Sequence, residues 1–523
     1  MGVSIDEVLT VHGATLMPKT FSKIIKNLKV VKVTTSTAKL LWNNPKDTLF
    51  SGVAIIQNNE HIPTSITDGT LIYRGEGDIF EYSAENNAEF DSITRHFDIS
   101  FPSGSTTYIS VFSYTTIGVF SEKFASVTVN GLVGTVYGFE VDESQSDPYD
   151  MVTYIGANAS YTPARNTQSR GSDGGFEDES WLTSFPFNAI KPCTLNADGT
   201  FNKYVNSNDY TLHVDGTSTA DMNIFVEIPP IYFFIERINT DIYTVLISDV
   251  QASPNFKALA HCRGDELKGN LYIGAYQGTI DDLTAETPIL ESKSGKALNT
   301  STKLSIKTLR DYARNNGSGF ELYNYTTNVL IIILHVLLFK TLDSQASGNG
   351  FVYSGVNIDG DSYFDCGRLD TVGMYYGDVG SNQYPLKTFG IEHLWGNIVT
   401  FLDGLYLDAT ANKAYINDNV QRITIGTNAT EYKTFPYICK LDLEADDDYI
   451  GKVVGNMEGF FLPATIGGSS TTKYCDTCTT QYTYPIPTLA GRVGTKAGIF
   501  RAQFYYSITG TATATGRLIY LAP

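Results

Sequence analysis

The sequence predicts a multidomain, β-rich protein: an all-β sandwich over residues 27–131, then an α+β unit over 132–523. Three observations point there. A chain of 523 residues exceeds what one hydrophobic core holds. Between residues 27 and 130, short apolar runs alternate with period two and are separated by turn residues. After Gly131 the texture changes, and two helical runs stand among further strands.

Composition bounds the functions. With 42% hydrophobic and 18% charged residues, the chain buries substantial cores and is not a disordered polymer. Its net charge of −19 argues against a nucleic-acid partner, which requires a basic stripe to displace counterions. The 33 Tyr, 29 Phe and 46 Gly fit β-rich, loop-rich domains. Tyr beside Ser, Gly and Asn is also the composition of binding surfaces, because Tyr gives large contact area at low entropic cost. The N-terminus, MGVSIDEVLTVHGATLMPKTF, has no basic segment leading into an apolar one, so no secretory leader is expected. The apolar run VLIIILHVLLF (329–339) is too short to span a bilayer, and a buried helix is expected instead of membrane insertion.

Each element has its own signal. In NLKVVKVTTSTAKLLWNNP, Val31, Val33, Ala38, Leu40 and Trp42 mark strand faces, and Asn43-Asn44-Pro45 ends the run. SGVAIIQN, GTLIYRG, RHFDISF, TTYISVFSYT and KFASVTVN continue the series. Beyond Gly131, NADGT is a hairpin signal, and IFVEIPPIYFFIERINTDIYTVLISD holds two strong strand runs. TKLSIKTLRDYARNNG carries Leu304, Ile306, Leu309, Tyr312 and Ala313 at helical spacing, with Ser305 as N-cap and Gly317 as stop. A second helix is expected over 321–342, apolar nearly all round as buried helices are, with His335 as a core histidine.

Residues with chemical potential are few. Of six cysteines only Cys475 and Cys478 are closely spaced; they lie in a Ser/Thr-rich stretch with no second pair, and buried apolar thiols are expected. Seven His, with no HExxH helix and no Ser-His-Asp order, leave little material for metal or nucleophilic catalysis. A paired-carboxylate glycosidase would need two acids about 5–10 Å apart on rigid strands, which sequence does not display. Asn357, Asp359, Asp361 and Asp365 alternate as oxygen ligands around a Gly. A calcium loop without its closing Glu and a plain acidic turn both fit this run.

Two resemblances organise these readings. VTTSTAKLLWNNP followed by TTYISVFSYTTIGVFSEKFASVTVN resembles a fibronectin type III domain, an immunoglobulin-like sandwich, with Trp42 and Tyr108 at its two aromatic positions. Such modules serve mostly as rigid connectors. Over 136–523, YIGAYQG (272–278), LRDYARNNGSGFELYNY (309–325), GIEHLWGNIVTFLDG (390–404) and the AGIFRAQFYYS…GRLIYL end occur in order. Together they resemble the C-type-lectin-like fold in its formylglycine-generating-enzyme-like branch, as found in phage and prophage virion proteins. The enzymes of that branch hold copper between two cysteines, and the context of Cys475 and Cys478 does not match theirs, so no enzyme is expected.

The resemblance implies a virion protein of a phage tail, baseplate or fibre, made in the bacterial cytoplasm. Its partners would be other virion proteins and a host-surface glycan or protein. A homo-oligomer is implied, commonly a trimer, with residues 1–26 as attachment segment. The residues implied for display to a receptor are Phe500, Arg501, Gln503, Tyr505, Tyr506 and Ser507. The chain departs from the family where TGTATATG (509–516) replaces an Asn- and Gly-rich insert. A purely structural decoration or connector of tail or head is the other reading. Family context also makes FGIEHLWGN a packed corner, with Gly390 and Gly396 at tight turns, Trp395 in the core and Asn397 bonded to backbone. Asp403 then belongs to a turn, not to an active centre.

Overall fold

A computed structural model describes residues 9–11, 14–16, 21–82, 87–164, 179–280, 282–299, 302–348, 350, 363–377, 386–408, 410–417, 429–441, 443–480, 486–489, 498–506 and 514–523. Strand accounts for 41% of the chain and helix for 10%, so the protein is β-rich. The chain divides into two units, Met1–Val136 with Gln251–Asn255, and Tyr137–Val250 with Phe256–Pro523. Among the described residues no helix is long and apolar enough to cross a membrane.

In the first unit eight strands form two four-stranded antiparallel sheets. One runs Lys26–Val31, Thr37–Pro45, Phe90–Ser100, Asp78–Tyr82; the other runs Ala125–Asn130, Thr106–Thr115, Phe50–Asn58, Thr70–Gly75. Period-two alternation sends Ala38, Leu40 and Trp42 from the first sheet and Val53, Ile55, Ile109 and Val111 from the second into one shared core. Trp42 is fully buried, and its indole N–H donates to Asn44 Oδ1 at 2.8 Å, so its polar tip is satisfied. Tyr108 is half-buried and immediately precedes the core residue Ile109, so alternation puts it on the opposite face of its strand.

The second unit holds a seven-stranded antiparallel sheet in the order Asp209–His213, Phe201–Asn206, Lys191–Leu195, Ile224–Ile228, Leu271–Gly274, Leu518–Tyr520, Phe320–Leu322. The C-terminal strand is therefore sealed between two strands from the middle of the chain. A four-stranded sheet is built from Tyr137–Asp142, Val152–Gly156, Tyr232–Arg237 and Ile242–Ser248. A mixed seven-stranded sheet places Ala502–Tyr506 between Thr477–Thr479 and Ile486–Leu489.

Two helices matter most. Helix α1, Ile306–Arg314, is amphipathic: Ile306, Leu309, Arg310 and Ala313 are buried, while exposed Lys307 and Asp311 pair at 2.6 Å. The Ser305 side chain accepts from Thr308 N, as expected of an N-cap. Helix α2, Tyr325–Phe339, is buried at all fifteen positions. It is shorter than the expected 321–342 because Glu321 and Leu322 pair in a strand and Asn324 caps the helix, while left-handed Lys340 ends it.

The FGIEHLWGN segment is a packed corner. Phe389, Gly390, His393, Gly396 and Asn397 all take left-handed φ, so the chain folds back on itself within nine residues. A Cβ at Gly390 would lie 2.3 Å from the Tyr210 hydroxyl. Trp395 is 1% exposed, stands edge-on to His335 at 5.4 Å and donates to Gly348 O at 3.3 Å. Asn397 grips Phe364 from both sides, accepting from its N–H at 2.9 Å and donating to its carbonyl at 3.1 Å. Replacing Trp395→Ala is expected to cost about 3–5 kcal/mol in urea unfolding of the full chain. A loss below about 1 kcal/mol would show that the corner does not depend on the indole.

Candidate functional site

The expected display residues divide. Phe500 is 3% exposed and packs against Tyr474 and Phe461, with ring centroids at 5.1 and 6.0 Å. Arg501 is also 3% exposed and reaches Asp447 at 3.1 Å. These two are corrected: they are structural, not displayed. The cause is local anchoring, because Asp476 Oδ2 accepts from Phe500 N at 3.0 Å and Ser344 Oγ accepts from Ile499 N at 3.0 Å. Gln503, Tyr505 and Tyr506 belong to the strand Ala502–Tyr506, but their side chains lie outside the described residues, as does Ser507 altogether. Of the calcium-loop residues, Asn357, Asp359 and Asp361 lie outside the described residues, and Asp365 is exposed. Among the described residues no three His, Cys, Asp or Glu side chains come together as a metal site. Cys475 and Cys478 are buried free thiols, and burial pushes Cys478 up to about 12, so neither suits thiolate chemistry.

Asp403 is buried, but its partner was not foreseen. Arg310 clamps it with two donors, Nη2 to Oδ1 at 2.6 Å and Nε to Oδ2, while Nη2 also reaches the Tyr432 hydroxyl at 2.9 Å. Asp403 further accepts from Gly404 N at 2.8 Å, and its carbonyl accepts from Tyr325 N, the first residue of α2. The signal was available: Arg310 lies on the buried stripe of α1 with Ile306, Leu309 and Ala313.

Other buried charges work the same way. Lys387 Nζ donates to Leu369 O at 3.0 Å and lies 3.3 Å from the Tyr210 ring centre. Glu392 accepts from Leu369 N at 2.7 Å and Gly367 N at 3.0 Å. Burial pushes the lysine down and the glutamate up. Arg517 donates to the carbonyls of Gly274, Glu392 and His393 at 2.7–2.9 Å. Glu143 accepts from Arg237 at 2.6 Å, from Val453 N at 2.9 Å and from the Tyr474 hydroxyl. In each cluster the polar groups turn inward and hold backbone. A cavity of about 530 Å³ in the first unit is lined by Lys26, Asn27, Asn43, Phe90, Asp91 and Thr94 among others. Its Asn43 amide is already engaged with the carbonyls of Asp91 and Ile93 and with Asn27.

No protein-family model matches the chain, and a search of curated proteins gives no match.

Two predictions follow from these latches. Arg310→Met strands a buried carboxylate and is expected to lower stability by about 3–5 kcal/mol, whereas Arg310→Met with Asp403→Asn recovers part of that loss. Urea unfolding of Arg310→Met, Asp403→Asn and the double variant completes the cycle; a double-variant loss equal to the sum of the two single losses would mean the two side chains are not coupled. Asp476 supplies a pH test. Burial pushes it up to about 8, against the pull of Phe500 N and the Ser344 hydroxyl. The unfolded group titrates near about 4, so its contribution is complete below that pH and drains away as pH rises towards 8. Asp476→Asn should therefore gain on the parent protein between about pH 5 and 8. A stability difference independent of pH would refute the assignment.

Proposed function

We propose that this chain is a structural protein of a bacteriophage virion, in the tail, baseplate or fibre, and that its second unit recognises a host-cell receptor. The sequence resemblance supplies the virion setting. Support for a fibronectin type III-like first unit comes from its two four-stranded sheets around Trp42. A lectin-like reading of the second unit is supported by α1, α2 and the Gly/Trp corner. The observation that carries the proposal is the closure of the second unit by its own end. Leu518–Tyr520 is paired on both sides, and Ala502–Tyr506 is itself held in a second sheet between two strands. A backbone held this firmly loses little conformational entropy on binding. Binding, not catalysis, is the activity assigned, because the buried charges described above are committed to holding backbone.

The second reading, a decoration or connector without receptor binding, is favoured by the burial of Phe500 and Arg501. Labelled full-length protein applied to a panel of bacterial cells separates the two. The receptor reading expects saturable binding to at least one strain, competed by unlabelled protein. Absence of binding across the panel, with the chain present in purified particles, would leave the connector.

A further inference from the structure

The sheet that receives the C-terminal strand has one face in the main core and a second face only partly covered. Ile224, Val226, Ile228, Ile273 and Ile519 point into the main core. Cys193, Phe225, Leu322 and Leu518 point the other way and pack with Leu309 and Ala313 of α1. Alternation puts Lys191 and Glu227 on this second face, and register sets them opposite one another and Glu227 opposite Tyr272. Here the apolar cover gives way to aromatic and polar side chains.

A β-bulge shapes the patch. Thr194 pairs with Lys203 and Leu195 with Phe201, so Asn202 is the extra residue. Phe201 and Tyr204, three apart, would otherwise fall on opposite faces. The bulge brings their rings to 4.7 Å, with Phe201 43% and Tyr204 38% exposed. Glu227, 8% exposed, fixes the neighbours: it accepts from the Tyr204 hydroxyl at 3.0 Å, the Tyr272 hydroxyl at 3.0 Å and Asn270 Nδ2 at 2.6 Å. Burial and the adjacent carboxylate push both phenols up, so both remain donors. Lys191 Nζ stands 5.4 Å from the Tyr204 ring.

We propose that Phe201, Tyr204, Lys191, Glu227, Asn270 and Tyr272 form a binding platform for an uncharged saccharide. Three features select this class. Rings pinned by a carboxylate present flat apolar area to the C–H faces of a sugar at little entropic cost. Amide, ammonium and phenol groups around them match vicinal hydroxyls as donors and acceptors. The charges cancel locally, Lys191 against Glu227 and Lys203 against Asp215 at 2.7 Å, so nothing recruits a polyanion. The inference rests on the receptor reading and names the chemistry that reading would use.

The test is calorimetric titration of the full chain with uncharged tetrasaccharides of N-acetylglucosamine, glucose (β-1,4 and α-1,4) and mannose, and with a sulfated polysaccharide. At least one tetrasaccharide is expected to bind saturably. Phe201→Ala with Tyr204→Ala, both at exposed positions, is expected to weaken it about ten-fold or more, with circular dichroism at the titration temperature showing the variant folded. Failure of every tetrasaccharide, equal binding by the double variant, or preference for the sulfated polymer overturns the proposal. Saccharide binding lost in the variant, on a protein that binds no cells, keeps the platform and removes only the receptor reading. Cell binding that the double variant retains in full, with no saccharide binding by the parent protein, removes the platform and keeps the receptor reading.

Discussion

Fifteen consecutive buried residues in α2 set the terms for the second unit. A helix apolar on nearly every side gains stability only if other elements cover it all round. Those elements come from across the sequence. Tyr154 donates its hydroxyl, and Ala164 its N–H, to Leu338 O. Trp395 stacks edge-on against His335, and Tyr325 N donates to Asp403 O. Even the polar member fits: His335 Nε2 lies 3.0 Å from Ser347 Oγ, and burial pushes the imidazole down to about 3, leaving it neutral.

Wrapping a helix this way leaves long irregular segments near the core, and their backbone polar groups must find partners away from water. The buried charges supply those partners. Arg517 takes three carbonyls, Glu392 two amides, and Glu143 an amide with a guanidinium. Such groups are expensive to bury and more expensive to strand, so each cluster favours one arrangement of loops. That specificity suits a molecule that presents a fixed surface. It also accounts for why Phe500 and Arg501 face inward: the turn that bears them is one of the segments being held.

Much of the scaffold was legible in the sequence, for physical reasons that act locally. Period-two alternation around Trp42, the Ser305 cap and the 329–339 run, apolar but for His335, each report on nearest neighbours. The Gly390-to-Asn397 corner was read from the resemblance, and the left-handed backbone at Gly390, Gly396 and Asn397 is its physical basis. What sequence did not show depends on distant partners. Arg310 and Asp403 are 93 positions apart, and only Arg310's place on an apolar stripe hinted at the pair. Glu227 gave a weaker hint, as a lone charge inside IFVEI, and the bulge at Asn202 that completes its surroundings has no signature in composition.

The central claim is that the second unit folds as one body around α2, with the proposed recognition carried on its exterior. Native-state hydrogen exchange on the full chain tests this directly. The account predicts that amides of residues 329–339 exchange only through global unfolding of the unit, with the same denaturant dependence as Ile273 and Ile519 in the sheet. Exchange of α2 through a smaller opening, while those sheet amides stay protected, would contradict it.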